Sequence, residues 1–485
     1  MDNHLACITS RLARGVFWST VGNAISKVVI LGTTFIVARV LQREHFGELA
    51  TVQNTIGMLA SLAGFGFGIT ATKYVSELYH TNRERAVRII QLTSLFSWVT
   101  GGLAAVLLCV LAPLLATHIL GASQLTASLH FGALLLLFSS TNGAQMGSLI
   151  GLEAFKSVAL LNILSSLISI PLFLGGSRFA GVTGAVFGLA CTQIILWLIT
   201  HVVIRRYLRC PGIARYDSSI LRELPIILKF SLPALAGTII IGPAHWICTA
   251  LVVNQPQGYG EMGSFGIANQ FRLPLVFLIG VITQPLLPVL SSLTGSQHGS
   301  EVSSRAIVAA QLQTSRYVLL GGIPILFMSQ YAIALVGKQF ADAESIIGLL
   351  TVATMIQGVA AVTGPLLMAT NRMKTAFGVN LSYALTLITA TYLLSPHYGA
   401  TGLAIGYILA YAMPTLWVTF TLRRVLPKRF TFYIYICLAL IASLAVIYFA
   451  SPKCLRPLEV IPAVILTLYL TSQSFRDKIL FPDFR

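Results

Sequence analysis

Long apolar runs separated by short polar segments dominate the chain. Fourteen stretches each hold enough apolar residues to cross a membrane as a helix, which takes about 20. The runs are continuous rather than alternating, which predicts helices and excludes a membrane β-barrel. The predicted fold is therefore an all-α integral membrane protein, with spans near residues 15–38, 49–72, 89–115, 129–152, 158–174, 182–204, 226–253, 265–290, 311–335, 345–369, 375–394, 401–421, 431–450 and 458–473.

Composition and charge support this interpretation and orient the spans. Of the 485 residues, 56% are hydrophobic and only 10% are charged, so a water-soluble globule could not cover its own surface. The net charge is +17. With the N-terminus in the cytoplasm, 24 of the 32 Lys and Arg residues fall in inside segments or at the inner ends of spans, six fall in outside segments and two fall in mid-span. This bias follows the positive-inside rule, predicts that both termini are cytoplasmic, and explains the basic excess without nucleic-acid binding.

The chain carries no motif typical of an enzyme or an ATP-driven pump. There is no Walker A sequence, nucleophile elbow, HExxH motif or pair of carboxylates within the spans. The seven cysteines are scattered and form no CxxC motif or Cys/His cluster. We therefore expect neither enzyme activity nor a cofactor, metal site or disulfide framework.

An internal repeat divides the chain into two halves. The sequence matches itself at an offset of 216–218 residues, so that Gly181, Gly184 and Gly188 fall on Gly399, Gly402 and Gly406, and Gln53 and Asn54 fall on Asn269 and Gln270. Six spans separate the copies, so both cross the membrane in the same sense, as in transporters with parallel repeats. The predicted domains are an N-terminal lobe (1–204), a cytoplasmic linker (205–225), a C-terminal lobe (226–422) and two further spans with a cytoplasmic tail (423–485).

The charged residues in mid-span are all cations. None of the 15 acidic residues falls in mid-span, whereas Lys27 lies in the first span and Arg272 in the eighth. Intramembrane charges are costly and are usually functional, and unpaired cations favour an anionic ligand such as a phosphate or diphosphate. The alternative is structural: Lys27 snorkels or bonds to carbonyls, and Arg272 ties helices together.

Polar residues accompany these cations on the same spans. We expect a polar, cationic cavity between the lobes, in which amide side chains contact sugars or waters. The candidate substrate-binding residues are Lys27, Arg272, Arg39, Arg316, Asn23, Gln53, Asn54, Asn269 and Gln270. His245 is a weaker candidate, for proton transfer or as a hydrogen-bonded core residue.

Several motifs resemble the polysaccharide flippase family, which belongs to the multidrug/oligosaccharidyl-lipid/polysaccharide (MOP) exporter superfamily. These motifs are Gly15-Val-Phe-Trp-Ser-Thr, Arg39-Val-Leu, Phe46-Gly-Glu-Leu-Ala, Leu62-Ala-Gly-Phe-Gly-Phe-Gly, Lys73-Tyr-Val-Ser-Glu and Gly399-Ala-Thr-Gly. The resemblance covers essentially the whole chain, but its motifs do not specify a substrate.

The resemblance implies a V-shaped bundle of two six-helix lobes plus two C-terminal helices. It also implies that the protein flips undecaprenyl-diphosphate-linked oligosaccharides across the bacterial cytoplasmic membrane by alternating access, for surface polysaccharides such as O-antigen or exopolysaccharide. Relatives bind the diphosphate and glycan in a cationic central cavity, a description that Lys27, Arg39, Arg272 and Arg316 fit. The expected partners are the lipid-linked oligosaccharide, membrane lipid, a polysaccharide polymerase and a chain-length regulator.

Three other functions remain open at this stage. A lipid II flippase has closely similar chemistry. A cation-coupled multidrug exporter of the same superfamily usually needs an intramembrane carboxylate, which the spans lack. A membrane polysaccharide polymerase or glycosyltransferase usually carries a large outside loop or acidic catalytic residues, whereas the predicted outside loops are short.

Overall fold

The computed structural model consists of helices joined by short turns in the part of the chain that it describes. The described residues are 2–64, 66–79, 81–208, 223–224, 239–283, 299–369, 372–422, 428–452 and 455–470. Most of the predicted linker 205–225, the start of the seventh span, the end of the eighth and the C-terminal tail lie outside these residues. Contacts divide the chain into two compact units, Met1–Ala250 and Leu251–Arg485.

The described part of the first unit contains four long helices, a short second helix and most of a sixth helix. Its helix α4 contacts α1, α2, α3 and α5 and is the hub of the unit. The bounds are α1 Asp2–Ala63, α2 Phe67–Leu78, α3 Arg83–Leu114 with a π-helical turn Leu115–Ile119, α4 Leu125–Gly151, α5 Phe155–Leu208 and α6 Ile241–Val253, which crosses the boundary between the units.

The second unit repeats this order and adds two helices. Here α10 is the hub and contacts α7, α8, α12 and α13. The bounds are α7 Gly258–Thr283, α8 Gly299–Phe327, α9 Ser329–Val336, a 3₁₀ turn Lys338–Phe340, α10 Ala343–Ala360, α11 Thr363–Ala369, α12 Met373–Leu422, α13 Lys428–Ala450 and α14 Arg456–Leu470. Apolar side chains of α13 and α14 join the core of this unit, including Cys437, Leu444 and Ala463.

The described helices cover most of the predicted spans. Seven of the described helices are long and apolar enough to cross a membrane, and the bent pair α8–α9 forms an eighth candidate. Three of the seven, α1, α5 and α12, each combine two predicted spans across a single break in the helical backbone. The all-α membrane fold predicted from the sequence is confirmed.

The internal repeat is visible in the backbone itself. Gly181 in α5 and Gly399 in α12 break their helices with nearly the same angles, φ 57° and ψ −135° against φ 52° and ψ −132°. Gln42 and Gln257 likewise share a positive φ, 67° and 57°, between the first two helical segments of each copy. A side chain at φ and ψ values like those of Gly181 and Gly399 is strained, so these glycines set where the chain turns back.

The second glycine of each matched motif lets two helical segments approach closely. A Cβ on Gly184 would clash with the carbonyl oxygen of Gly176, and a Cβ on Gly402 would lie 2.7 Å from that of Leu394. Both contacts join the two halves of one broken helix at the same repeat offset. The matched glycines are therefore packing and turning residues of the repeat.

Candidate substrate-binding residues

Arg272 lies within α7 and is held by polar side chains from two neighbouring helices. Its Nε donates to Thr354 Oγ1 at 3.2 Å, and Nη2 donates to Gln357 Oε1 at 3.2 Å and to Tyr411 OH at 2.7 Å. Nη1 makes a longer bond of 3.4 Å to Asn269 Oδ1, one turn earlier on α7. Four of the five guanidinium N–H groups are therefore directed by α7, α10 and α12.

Tyrosine rings of α12 form a wall beside this guanidinium. The guanidinium carbon lies 5.2 Å from the ring centre of Tyr407 and 5.8 Å from that of Tyr411. Tyr383 continues the wall, with 4.9 Å between its ring centre and that of Tyr411. A cation within about 6 Å of an aromatic face is stabilised by the ring quadrupole. The rings thus help to hold a charge in a span without neutralising it.

The electrostatics of this site favour an added anion. All four acceptors around Arg272 are uncharged, so they satisfy its hydrogen-bonding groups but leave its positive charge. The residue as a whole is half-buried. A guanidinium pairs with phosphate oxygens through parallel N–H groups, and this pairing is strong where water is scarce.

The corresponding position in the first unit has no cation. At the repeat offset of 216 residues, Arg272 matches Ile56, which is 3% exposed. A Cβ on Gly132 of the hub helix α4 would lie 2.7 Å from Ile56 Cδ1, so the two helices pack closely there. The second unit thus carries a polar cationic site where the first has apolar packing.

Polar contacts next to Ile56 join α1 to α6. Asn54 Nδ2 donates to Thr249 Oγ1 at 2.8 Å, and Trp246 Nε1 donates to Thr55 Oγ1 at 3.0 Å. These helices enclose a cavity of about 360 Å³, whose lining includes Asn54, Gly57, Ser61, His245 and Trp246. Pockets that bind small ligands have volumes of about 300–1,000 Å³. Two of the sequence candidates, Asn54 and His245, therefore line one cavity of the first unit.

Lys27 and Asn23 lie on the first half of α1. The side chain of Lys27 is exposed. Asn23 Oδ1 accepts a hydrogen bond of 3.0 Å from Nδ2 of Asn162 on α5, so this asparagine ties two helices together within the unit.

The remaining candidates are spread over both units. Arg39 is exposed shortly before the break at Gln42, whose Nε2 donates to the Arg39 carbonyl at 3.1 Å. Gln53 is exposed on α1, Gln270 is half-buried on α7, and Arg316 is half-buried on α8. Among the predicted residues of the second unit, the structure brings Arg272 and Asn269 into contact.

The residues that surround Arg272 were not predicted from the sequence. They are Thr354 and Gln357 on α10 and Tyr383, Tyr407 and Tyr411 on α12. A partial signal exists, because Tyr407 and Tyr411 are four residues apart and share a face of a spanning helix. Nothing in the spacing links that face to α7, which lies more than 120 residues earlier.

The family of this chain follows from a comparison of its sequence with models of known families. A family model described as "Polysaccharide biosynthesis protein" matches residues 12–294, more than half of the chain. The chain belongs to this family. The resemblance noted from its motifs is therefore confirmed at the level of the family.

The chain is also similar in sequence to two relatives. The EPS I polysaccharide export inner membrane protein EpsE of Ralstonia nicotianae is 25% identical over 211 residues, 42% of this chain and 46% of EpsE. The match thus spans just under half of that relative. The lipopolysaccharide biosynthesis protein WzxC of Escherichia coli K12 is 24% identical over 445 residues, 87% of this chain and 82% of WzxC.

A solved structure shares the fold. The lipid II flippase MurJ, in an inward closed conformation, superposes with a TM-score of 0.68 at 15% identity, covering 95% of this chain and 99% of MurJ. At this identity the likeness establishes the fold alone. This protein is thus a multi-pass membrane protein with the same fold as MurJ.

Proposed function

We propose that this protein is a flippase that moves undecaprenyl-diphosphate-linked oligosaccharides across the bacterial cytoplasmic (inner) membrane. The export and biosynthesis roles named for EpsE and WzxC, together with family membership, support a place in exopolysaccharide or O-antigen assembly. The step is transport by alternating access and makes or breaks no covalent bond. Both termini face the cytoplasm, and the lobes are 1–204 and 226–422, joined by the linker 205–225.

The observation that carries this proposal is the guanidinium of Arg272, whose hydrogen-bond acceptors among the described residues are all uncharged. A membrane-embedded cation is stable only where something offsets its desolvation. Hydrogen bonds to Thr354, Gln357 and Tyr411 offset part of that cost in the resting protein. A diphosphate would offset more, because it brings at least two negative charges and acceptors that match the guanidinium.

The other candidates take secondary roles in this proposal. Lys27, Arg39 and Arg316 attract the anionic head group, Lys27 as a point charge near the cytoplasmic half of the first span. Asn23, Gln53, Asn54, Asn269 and Gln270 contact sugars or waters, apart from the bonds that Asn23, Asn54 and Asn269 already make within the protein. A polymerase and a chain-length regulator would act on the product outside.

The direct test is leaflet transfer in proteoliposomes. A fluorescent undecaprenyl-diphosphate oligosaccharide is incorporated, and its appearance in the opposite leaflet is followed for wild type, Arg272→Ala and Lys27→Ala. Arg178→Ala serves as the matched control, because Arg178 is an exposed arginine of α5 outside the candidate set. We expect transfer by wild type and the control, and loss with Arg272→Ala in folded protein.

Other outcomes would select another function. Transfer restricted to lipid II would identify a lipid II flippase. Export of a soluble cation without any lipid transfer would identify a multidrug exporter. Elongation of the glycan on its lipid would identify a polymerase or glycosyltransferase. If each alanine variant still transfers the lipid, the protein is a flippase, and Lys27 and Arg272 have structural roles.

A further inference from the structure

We propose that the cavity between α1 and α6 binds an uncharged sugar ring of the transported oligosaccharide, apart from the diphosphate. This inference rests on the proposed function and deepens it, because it assigns glycan and diphosphate to different parts of the protein. The name glycan cavity is used below for the space lined by Asn54, Gly57, Ser61, His245 and Trp246.

The lining of the glycan cavity matches the two kinds of surface on a sugar ring. Trp246 supplies an aromatic ring, which packs against the apolar C–H face of a pyranose. Asn54, Ser61 and His245 supply side chains that donate to and accept from hydroxyl groups. Within the part of the chain that the structure describes, no aspartate, glutamate, lysine or arginine lines this cavity. A cavity of this chemistry suits a neutral, hydroxyl-rich group better than a phosphate.

Hydrogen bonds fix two of these side chains before any ligand enters. Asn54 Nδ2 is bonded to Thr249, and Trp246 Nε1 is bonded to Thr55. The Oδ1 atom of Asn54 has no bond to any of the described residues and is left to accept from a sugar hydroxyl. Side chains that are held in place lose less entropy on binding, so a preformed cavity binds more tightly.

The contrast with Arg272 supports this assignment. That arginine carries a full charge among uncharged acceptors, which suits an anion. The glycan cavity instead offers hydrogen-bonding groups and an indole without such a charge. The proposed substrate has the same two kinds of chemistry, an anionic diphosphate that suits Arg272 and neutral sugars that suit the glycan cavity.

Gly57 allows the cavity to be filled without disturbing the protein. A Cβ built on Gly57 meets no atom within 4 Å, so a larger side chain there enters open space. Substitution of Asn54 or Trp246 would instead break the bonds described above. Gly102 on α3 is the matched control, because a Cβ there also meets no atom within 4 Å and this glycine does not line the cavity.

The experiment compares Gly57→Phe with Gly102→Phe in the proteoliposome assay, using two probes. One is undecaprenyl diphosphate carrying a neutral pentasaccharide, and the other is undecaprenyl diphosphate without a sugar. We expect Gly57→Phe to lower transfer of the pentasaccharide form about tenfold and that of the sugar-free form less than about twofold, since only the glycan-bearing form uses the cavity. Gly102→Phe should transfer both probes as wild type does.

The outcomes separate this inference from the proposed function. A wild type that transfers neither probe would overturn both. If wild type transfers the probes and Gly57→Phe lowers both rates equally, or lowers neither, the glycan cavity is overturned. The proposal that the protein is a flippase then still stands. Thermal unfolding in detergent shows that each variant is folded. If Gly57→Phe is unfolded, Gly57→Leu replaces it with the same expected difference between the probes.

Discussion

The two copies of the repeat differ at one pair of equivalent positions far more than their backbones do. Gly181 and Gly399 turn the chain with nearly equal angles, and α4 and α10 are hubs of their units. Two residues after the matched amide pair, however, the first copy has buried Ile56 and the second has Arg272. The turn at this glycine and the hub helix are therefore shared by the two copies, while the chemistry at this position is not.

This difference shows which residues a repeat constrains. A glycine at a positive φ cannot be exchanged without strain, so the turn is retained in both copies. A residue in regular helix, such as Ile56 or Arg272, is constrained only by the side chains that it contacts. Ile56 touches a tightly packed helix, whereas Arg272 meets hydroxyl, amide and aromatic groups that accommodate a cation.

Moving the cation into the first copy should have the largest effect. Ile56→Arg would place a charge among apolar neighbours in a span, which costs roughly 3 kcal/mol or more. We expect little folded protein, measured by thermal unfolding in detergent. Ile56→Leu is the control and should cost less than about 1.5 kcal/mol. A folded Ile56→Arg variant with wild-type thermal stability would show that the surroundings of this position do not exclude a charge.

Removing the cation from the second copy should affect transport more than stability. Arg272→Gln keeps a polar side chain but loses the charge, and we expect transfer to fall about 100-fold, which corresponds to about 2.7 kcal/mol. Arg272→Lys keeps the charge but loses the planar guanidinium with its parallel N–H groups, and we expect its rate of transfer to fall about tenfold. The measurement is the initial rate of leaflet transfer. Equal rates for all three proteins would remove Arg272 from the site.

The shared turn offers a smaller and more graded comparison. A Cβ on Gly399 would lie 2.6 Å from Glu261 Oε2, an atom that accepts a 3.1 Å bond from the backbone N–H of Ala400, whereas a Cβ on Gly181 meets nothing within 4 Å. Gly181→Ala should therefore cost only backbone strain, about 1–3 kcal/mol. We expect Gly399→Ala to lower the unfolding temperature further. Equal temperatures for the two variants would mean that Glu261 moves aside freely.

The smallest expected effect concerns one hydroxyl group. Tyr411→Phe removes the 2.7 Å bond to Arg272 but keeps the aromatic ring beside the guanidinium. Loss of such a bond costs about 1 kcal/mol, so we expect transfer to fall severalfold. Tyr392→Phe, at a tyrosine that is 64% exposed, is the control and should have no effect. An unchanged rate for Tyr411→Phe would show that the ring alone positions the arginine.

The sequence predicted the parts of this protein that depend on local or periodic pattern. Spans follow from runs of apolar residues, and the repeat follows from glycines whose backbone angles leave little choice of residue. The charge of Arg272 was visible because no acidic residue falls in mid-span.

The surroundings of that charge were not predictable in the same way. Thr354, Gln357 and Tyr411 reach Arg272 from helices that are distant in sequence, and their identity depends on how three helices pack. The glycan cavity was also missed. Its lining brings α1 together with α6, which lies some 180 residues later, and an open glycine such as Gly57 gives no signal that distinguishes it from a packing glycine.

The measurement that tests the central claim most directly is lipid binding by native mass spectrometry. Wild type and Arg272→Gln are each titrated with undecaprenyl diphosphate, undecaprenyl monophosphate and undecaprenol. We predict that wild type prefers the diphosphate to undecaprenol by about tenfold or more, and that Arg272→Gln reduces this preference to less than about twofold. A preference for the diphosphate that is the same in both proteins would contradict the account.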